Sequence, residues 1–301
     1  MATSLTDFYL SYSNELYKNP IFSKEILSHQ EFLNTSNSLS GKETFEKILQ
    51  HYLEEAELTL SLIQTLHYSK KDFMLEIGGG LGLVYGFLRK QGYTIYAIEP
   101  SDSGFGGYFN AARELFKIID VDKSHFYPLL SEDCTKINER FDVLFSNNVL
   151  EHIPEFDKSF LAMKNVLKPG GVMIHNTANY FVPYEPHINI MLVPLFPKLT
   201  PFFAPRLKKS SLWNGLYFVT TRKLKKLCKS MDLTITFKRD SLQKTLHRLD
   251  TDPGFAERQK YFVALYSLLK RTRLVRILDN VPVALTTPIT FTVEKRFTDT
   301  I

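Results

Sequence analysis

Leu75-Glu76-Ile77-Gly78-Gly79-Gly80-Leu81-Gly82 decides how this chain folds. The apolar run at residues 73–77 has the length and composition of a buried strand, and residues 84–89 have helical spacing. A strand that passes through glycines straight into a helix is a turn where the backbone takes positive φ and a ligand can come close. Two phosphate-binding readings fail on counting. The dinucleotide pattern GxGxxG needs glycine at position 83 or 85, depending on register, where Leu83 and Tyr85 stand. A P-loop needs Gly-Lys-Ser/Thr, which does not follow. What remains is an acidic residue, Glu76, two positions before a run of glycines.

On the C-terminal side of this turn the pattern alternates. Strands are expected at 93–98, 126–130, 141–145 and from 172, with helices at 109–119 and 160–167 between them. That spacing gives parallel βαβ units, hence an α/β fold with a doubly wound, mostly parallel sheet. After Asn176 the rhythm stops. A basic amphipathic helix at 221–231 and strands at 233–237 and 289–293 complete seven strands. Before the turn, apolar residues from Phe45 to Ile63 recur at helical spacing. The expected organisation is a helical N-terminal cap over 1–70, a core over 71–180 and an aromatic, proline-rich insertion over 181–215. A core helix and sixth strand follow over 216–240, a helical insertion over 241–285, and the last strand and C-terminus over 286–301.

The glycine turn with its preceding acid closely resembles the first motif of the class I S-adenosylmethionine-dependent methyltransferases, a family with a Rossmann-like fold. The resemblance extends along the chain. Glu99, in Ala97-Ile98-Glu99-Pro100, ends the second strand about 20 residues after the turn, where a carboxylate accepts hydrogen bonds from a ribose diol. Ser131-Glu132-Asp133-Cys134 follows the third strand, and the segment from Phe141 through Ser146-Asn147-Asn148-Val149-Leu150-Glu151-His152 matches the fourth-strand motif of the small-molecule branch. Leu167-Lys168-Pro169-Gly170-Gly171 resembles the turn before the fifth strand. The resemblance therefore implies S-adenosyl-L-methionine as cofactor. It would be held by Glu76, Gly78, Gly79, Gly80 and Gly82, by Glu99 and Pro100, by Asp133 and Cys134 (with Glu132 the rival acid), and by Ser146 and Asn147. Asp142, at the start of its strand, reads as structural.

Methyl transfer from a sulfonium is a direct displacement, so the protein must align the nucleophile and exclude water; a hydroxyl acceptor also needs a base. His152 is the first candidate, the other reading being that it orders the loop after the strand. His175, Tyr184, Glu185 and His187 form a second polar group, suited to a polyhydroxylated or cationic acceptor, or else to satisfying backbone groups in a complex loop. The stretch around them looks like one in methyltransferases of sugar or glycan biosynthesis. Some quinone-pathway relatives hold a metal with the two glutamates and the histidine of Glu-Val-Leu-Glu-His. Here the first of these is Asn148, which removes a hard anionic ligand, so no metal is expected.

Composition bounds the remaining choices. The chain of 301 residues is 44% hydrophobic and 23% charged, as in globular proteins, with a net charge of +5. Basic residues gather between Arg206 and Arg239 and at Arg271, Arg273 and Arg276, on solvated helix faces or toward acidic partners. Cys134 and Cys228 are too few for a disulfide framework, which points to a reducing, cytoplasmic setting. The first twelve residues lack signal-peptide character. No apolar run spans a bilayer, although residues 190–203, broken by Pro194, Pro197 and Pro201, suit either a membrane-facing lid or a buried loop. The expected partner is a small-molecule acceptor, sugar or lipid-linked, with peripheral membrane contact left open. A small amine is the alternative acceptor. Nucleic-acid methylation is disfavoured because Ser146-Asn147-Asn148-Val149 is not the Asn/Asp-Pro-Pro-Tyr/Phe motif, and a non-catalytic binding protein because the glycines and Glu99 are intact.

Overall fold

The computed structural model describes residues 4–29, 40–101 and 106–295. Parts of the expected N-terminal cap (1–3 and 30–39) and the C-terminal residues 296–301 lie outside the described residues. The described residues divide into two compact units, one within 4–147 and 157–174, the other within 148–156 and 175–295.

Among the described residues, the first unit opens with the helices α1 (Leu5–Leu10), α2 (Ser13–Lys18), α3 (Pro20–Ser28) and α4 (Gly41–Ile63). Their ends are chemically fixed. Asn19 caps α3 ahead of Pro20 by accepting from the Ile21 and Phe22 amides at 3.1 and 3.0 Å. Ser40 and Glu43 form a reciprocal capping box on α4, at 2.8 and 3.2 Å. The apolar face of α4, from Phe45 to Ile63, is buried in the unit's core. Tyr9 of α1 reaches into that core and donates its hydroxyl to the Leu83 carbonyl at 2.7 Å.

The α/β part follows in order β1 (Phe73–Ile77), α5 (Leu83–Lys90), β2 (Thr94–Ile98), α6 (Gly106–Ile118), β3 (Phe126–Tyr127), β4 (Phe141–Asn147), α7 (Phe156–Val166) and β5 (Leu167–Thr177). β1 pairs in parallel with β2, Phe73 opposite Thr94 and Ile77 opposite Ile98, and also with β4, Glu76 opposite Phe145. The expected third strand stops two residues in: Pro128 has no N–H to give the ladder, and the Leu129 amide turns back to the Tyr127 carbonyl at 2.9 Å. β5 starts earlier than expected, taking in Lys168-Pro169-Gly170-Gly171, with Lys168 held by Asp142 at 2.6 Å. Asp142 also accepts the Phe73 amide at 2.8 Å, a structural role that ties the starts of β1 and β4.

The second unit holds the short hairpin β6 (Tyr184–Glu185) and β7 (Ile190–Met191), then α8 (Thr200–Phe203), α9 (Ser211–Asn214), α10 (Thr221–Ser230), β8 (Leu233–Phe237), α11 (Ser241–Thr251), α12 (Pro253–Arg258), α13 (Lys260–Arg271) and β9 (Ile289–Lys295). β8 and β9 are antiparallel, with Phe237 opposite Phe291. The expected insertion has a small core of its own, in which Tyr180, Leu192, Leu207, Trp213 and Leu216 pack together. Strand order in the main sheet is β3-β2-β1-β4-β5-β9-β8, the doubly wound seven-stranded arrangement the sequence implies.

Candidate functional sites

The carboxyl ends of β1 and β2 lie side by side, and the glycine turn begins there. The Gly78 and Gly79 amides both donate to the Ile98 carbonyl at 2.9 Å, which pins the turn to the end of β2. Gly82 takes φ 73° at the start of α5, and a Cβ there would stand 2.4 Å from the Phe116 ring, so only glycine fits. Gly80 differs. Its φ is 52°, yet a Cβ would meet nothing within 4 Å, so this side of the turn faces open space. The Gly80 amide donates to Glu99 Oε2 at 2.8 Å.

Two carboxyl groups are buried at this edge. Glu99 is 5% exposed, and burial pushes its carboxyl up to about 7 against the pull of the Gly80 amide. Glu76 is 6% exposed; burial first, and then the charge of Glu99, raise it well above the usual carboxylate range. Glu76 Oε2 has no hydrogen-bond partner. A buried acceptor with no donor costs about 1 to 3 kcal/mol. A ligand carrying an ammonium group and a ribose diol supplies the donors and the positive charge that this pair lacks. The amino-acid and ribose parts of S-adenosylmethionine are such groups, and the open side of Gly80 leaves room for them.

The remaining expected cofactor residues are distributed along the same unit. The β1–β4 register carries Ser146 and Asn147 past Glu76 toward the carboxyl edge; Ser146 is buried, and the Asn147 amide reaches the Glu55 carbonyl at 3.4 Å. Pro100 follows Glu99 and is half-buried. In the 3-10 turn after β3, Glu132 accepts from Ser159 at 3.1 Å, whereas Asp133 pairs with Lys136 at 2.9 Å and keeps a partly exposed side chain. Cys134 is buried, and burial pushes its thiol up to about 12.

The second unit gathers the polar side chains. Glu151 is wholly buried and accepts from Thr177 Oγ1 at 2.7 Å and the Ala178 amide at 3.4 Å. Next to it, His152 Nδ1 lies 3.3 Å from the Gly215 carbonyl, and the rings of His152 and His187 meet edge to face at 5.5 Å. Burial holds the His152 imidazole below its usual range. Glu185 has no exposed surface. It accepts from His187 Nδ1 at 2.6 Å, the His187 amide at 2.8 Å and the Tyr180 hydroxyl at 2.5 Å. Burial acts to raise its pKa, but the bonds from His187 and Tyr180 hold it below the usual carboxylate range. Glu185 therefore orients His187 rather than offering itself to a ligand.

The structure brings His152, His187 and Glu185 together, while Tyr184 and His175 contact further residues. Tyr184 hydroxyl lies 2.5 Å from Gln259 Oε1 and 2.9 Å from Asn189 Oδ1. His175 is wholly buried, tilted against Phe291 at 5.5 Å, and burial holds it down to about 3. Glu151, Thr177 and Tyr180 complete the cluster without having been singled out from sequence. The signal for Glu151 was its place beside His152.

Comparison with known proteins identifies the family. Residues 49–236 match the model of a family described as methyltransferase domain. An uncharacterised protein of Mycobacterium tuberculosis (strain H37Rv) is 32% identical over 221 residues, covering 70% of this chain and 75% of that protein. The ubiquinone biosynthesis O-methyltransferase of Agrobacterium fabrum is 28% identical over 106 residues, 35% of this chain and 40% of that protein. Among solved structures, phosphoethanolamine N-methyltransferase 2 of Haemonchus contortus, in complex with S-adenosyl-L-methionine, superposes with a TM-score of 0.50 at 15% identity. That match covers 98% of this chain and 60% of the other and bears on the fold alone.

Proposed function

The chain belongs to the methyltransferase-domain family, and from that premise we propose that it transfers the methyl group of S-adenosylmethionine to a hydroxyl of a small molecule, a sugar or a glycan or glycolipid precursor. The observation that carries the cofactor half is the edge of β1 and β2: an unpartnered Glu76 oxygen, a buried Glu99 and an open face at Gly80. Bound there, the cofactor supplies a methyl group already activated on sulfonium. The chain's part is to hold the amino acid and ribose through Glu76 and Glu99, to pass the glycine turn close beneath them, and to keep water out.

The hydroxyl reading rests on the Glu151–His152–His187 cluster. An unprotonated amine needs only alignment, whereas a hydroxyl must lose a proton, and two neighbouring imidazoles with a buried carboxylate suit that need. Transfer of labelled methyl from S-adenosylmethionine to panels of sugars, lipid-linked glycans, amines, RNA and protein tests the assignment. Label in hydroxyl acceptors is the expected outcome. Label confined to amines, nucleic acid or protein overturns the acceptor class.

The segment around α8 favours an acceptor met at a lipid surface. Met191, Leu195, Phe196, Leu199, Phe202 and Phe203 are each more than half exposed within thirteen residues, and Lys198, Arg206, Lys208 and Lys209 are exposed basic residues within or just after the same stretch. Exposed apolar side chains with a basic surround match an anionic membrane surface, into which the apolar groups insert while the cations meet phosphate. Among the described residues, no helix is long and apolar enough to cross a membrane.

A further inference from the structure

We propose that Glu151, His152 and His187 form a binding site for one divalent transition-metal cation in the second unit. Their candidate ligand atoms all lie within 4.8 Å of one another. Ligands held at roughly 2.1 Å by one tetrahedral ion stand about 3.4 Å apart, so uptake draws the three inward by about an ångström through side-chain rotation.

Three features distinguish this from a chance meeting of polar groups. The first is the tautomer. A carbonyl and a carboxylate only accept, so His152 donates Nδ1–H to the Gly215 carbonyl and His187 donates Nδ1–H to Glu185. Each ring is thus anchored through Nδ1 to an oxygen, as metal-binding imidazoles commonly are, so Nε2 is the nitrogen through which each would bind an ion. The second is a graded support shell. Glu185 is itself held by the Tyr180 hydroxyl, and Glu151 by Thr177 and the Ala178 amide. The third is charge. Glu151 and Glu185 are both 0% exposed; Glu185 pairs with His187 at 2.6 Å, and among the described residues neither carboxyl pairs with a lysine or arginine. A dication would add positive charge beside this buried acidic pair.

The set is one carboxylate and two imidazoles, with His187 about 35 residues beyond His152 in sequence. Such a set prefers zinc, iron, cobalt or manganese to magnesium. A cation held there would lower the pKa of an acceptor hydroxyl and would take the place of the imidazoles as the means of its deprotonation, since a coordinated ring nitrogen is no longer a base. That catalytic use rests on the proposed function; the binding itself does not.

The test is titration of the chelator-stripped full chain with Co²⁺ and Zn²⁺, read by calorimetry and by the visible ligand-field bands of cobalt. One equivalent is expected to bind, with those bands at intensities typical of nitrogen and oxygen ligation. His187→Ala is expected to weaken binding at least 100-fold and to abolish the bands, and Glu185→Gln to weaken it about 10- to 100-fold. Binding of S-adenosylhomocysteine to His187→Ala, unchanged from wild type, shows that the variant is folded. Absence of stoichiometric cobalt binding, or binding unchanged in folded His187→Ala, overturns the proposal. Metal binding without methylation of any hydroxyl acceptor leaves the site standing and defeats the functional reading alone.

Discussion

Glu99→Gln isolates the charge that the cofactor reading depends on. The Glu99 carboxyl is pushed to about 7 by burial, from a usual value of 4.5. Below pH 7 it is mostly protonated, and above it mostly ionised. Ribose hydroxyls donate best to the ionised form, so the Kd for S-adenosylhomocysteine should rise about tenfold between pH 8 and pH 6, following the ionised fraction. Glutamine keeps the shape and accepts the Gly80 amide, but loses the charge-assisted part of those bonds, about 1 to 2 kcal/mol, or roughly 5- to 30-fold in Kd. The variant's affinity should also be flat across that range. Stability moves the other way. A carboxyl raised in the folded state binds more protons there than when unfolded, so unliganded wild type loses stability as pH rises from 4.5 through about 7. Glu99→Gln should remove that loss and be more stable than wild type at pH 8, by up to about 3 kcal/mol. Isothermal titration at both pH values, with urea unfolding in parallel, reads all of this. A Glu99→Gln protein that binds S-adenosylhomocysteine as tightly as wild type would refute the ribose assignment.

The two glycines of the turn should separate binding from folding. Gly80→Ala meets no neighbour and pays about 1 kcal/mol for its positive φ, so it should fold yet lose cofactor affinity; Gly82→Ala, driven into Phe116, should lose several kcal/mol in urea unfolding. Tyr9→Phe deletes the buried bond to the Leu83 carbonyl and should cost about 1 to 2 kcal/mol in the same assay. Replacing Phe202 and Phe203 by serine removes two largely exposed rings, which should leave stability unchanged and weaken co-sedimentation with phosphatidylglycerol vesicles at least tenfold. Equal binding of wild type and variant to vesicles would exclude a membrane role for this segment.

Much of the fold could be read from pattern because its elements are local. β1 and β8 have the bounds their apolar runs imply, and the capping box marks the start of α4 in four letters. β3 was overestimated because Pro128 ends the ladder inside an otherwise apolar run. The β6–β7 hairpin escaped notice because two-residue strands carry no period. At the edge of β1 and β2, the shared position of Glu76, Glu99 and the glycines was legible, since strand ends and turn residues sit at fixed spacing. The polar cluster of the second unit was legible only in pieces. His152, His187 and Glu185 stand out as residue types, but nothing in sequence pairs His187 with Glu151 across about 35 positions or turns Glu185 inward to hold an imidazole. Such pairings are made by loops, whose paths no short-range rule dictates.

Calorimetric titration of the purified chain with S-adenosylhomocysteine, with NAD titrated in parallel, tests the central claim most directly. The account predicts saturable one-to-one binding of S-adenosylhomocysteine and no heat from NAD; binding of NAD alone, or of neither ligand, would contradict it.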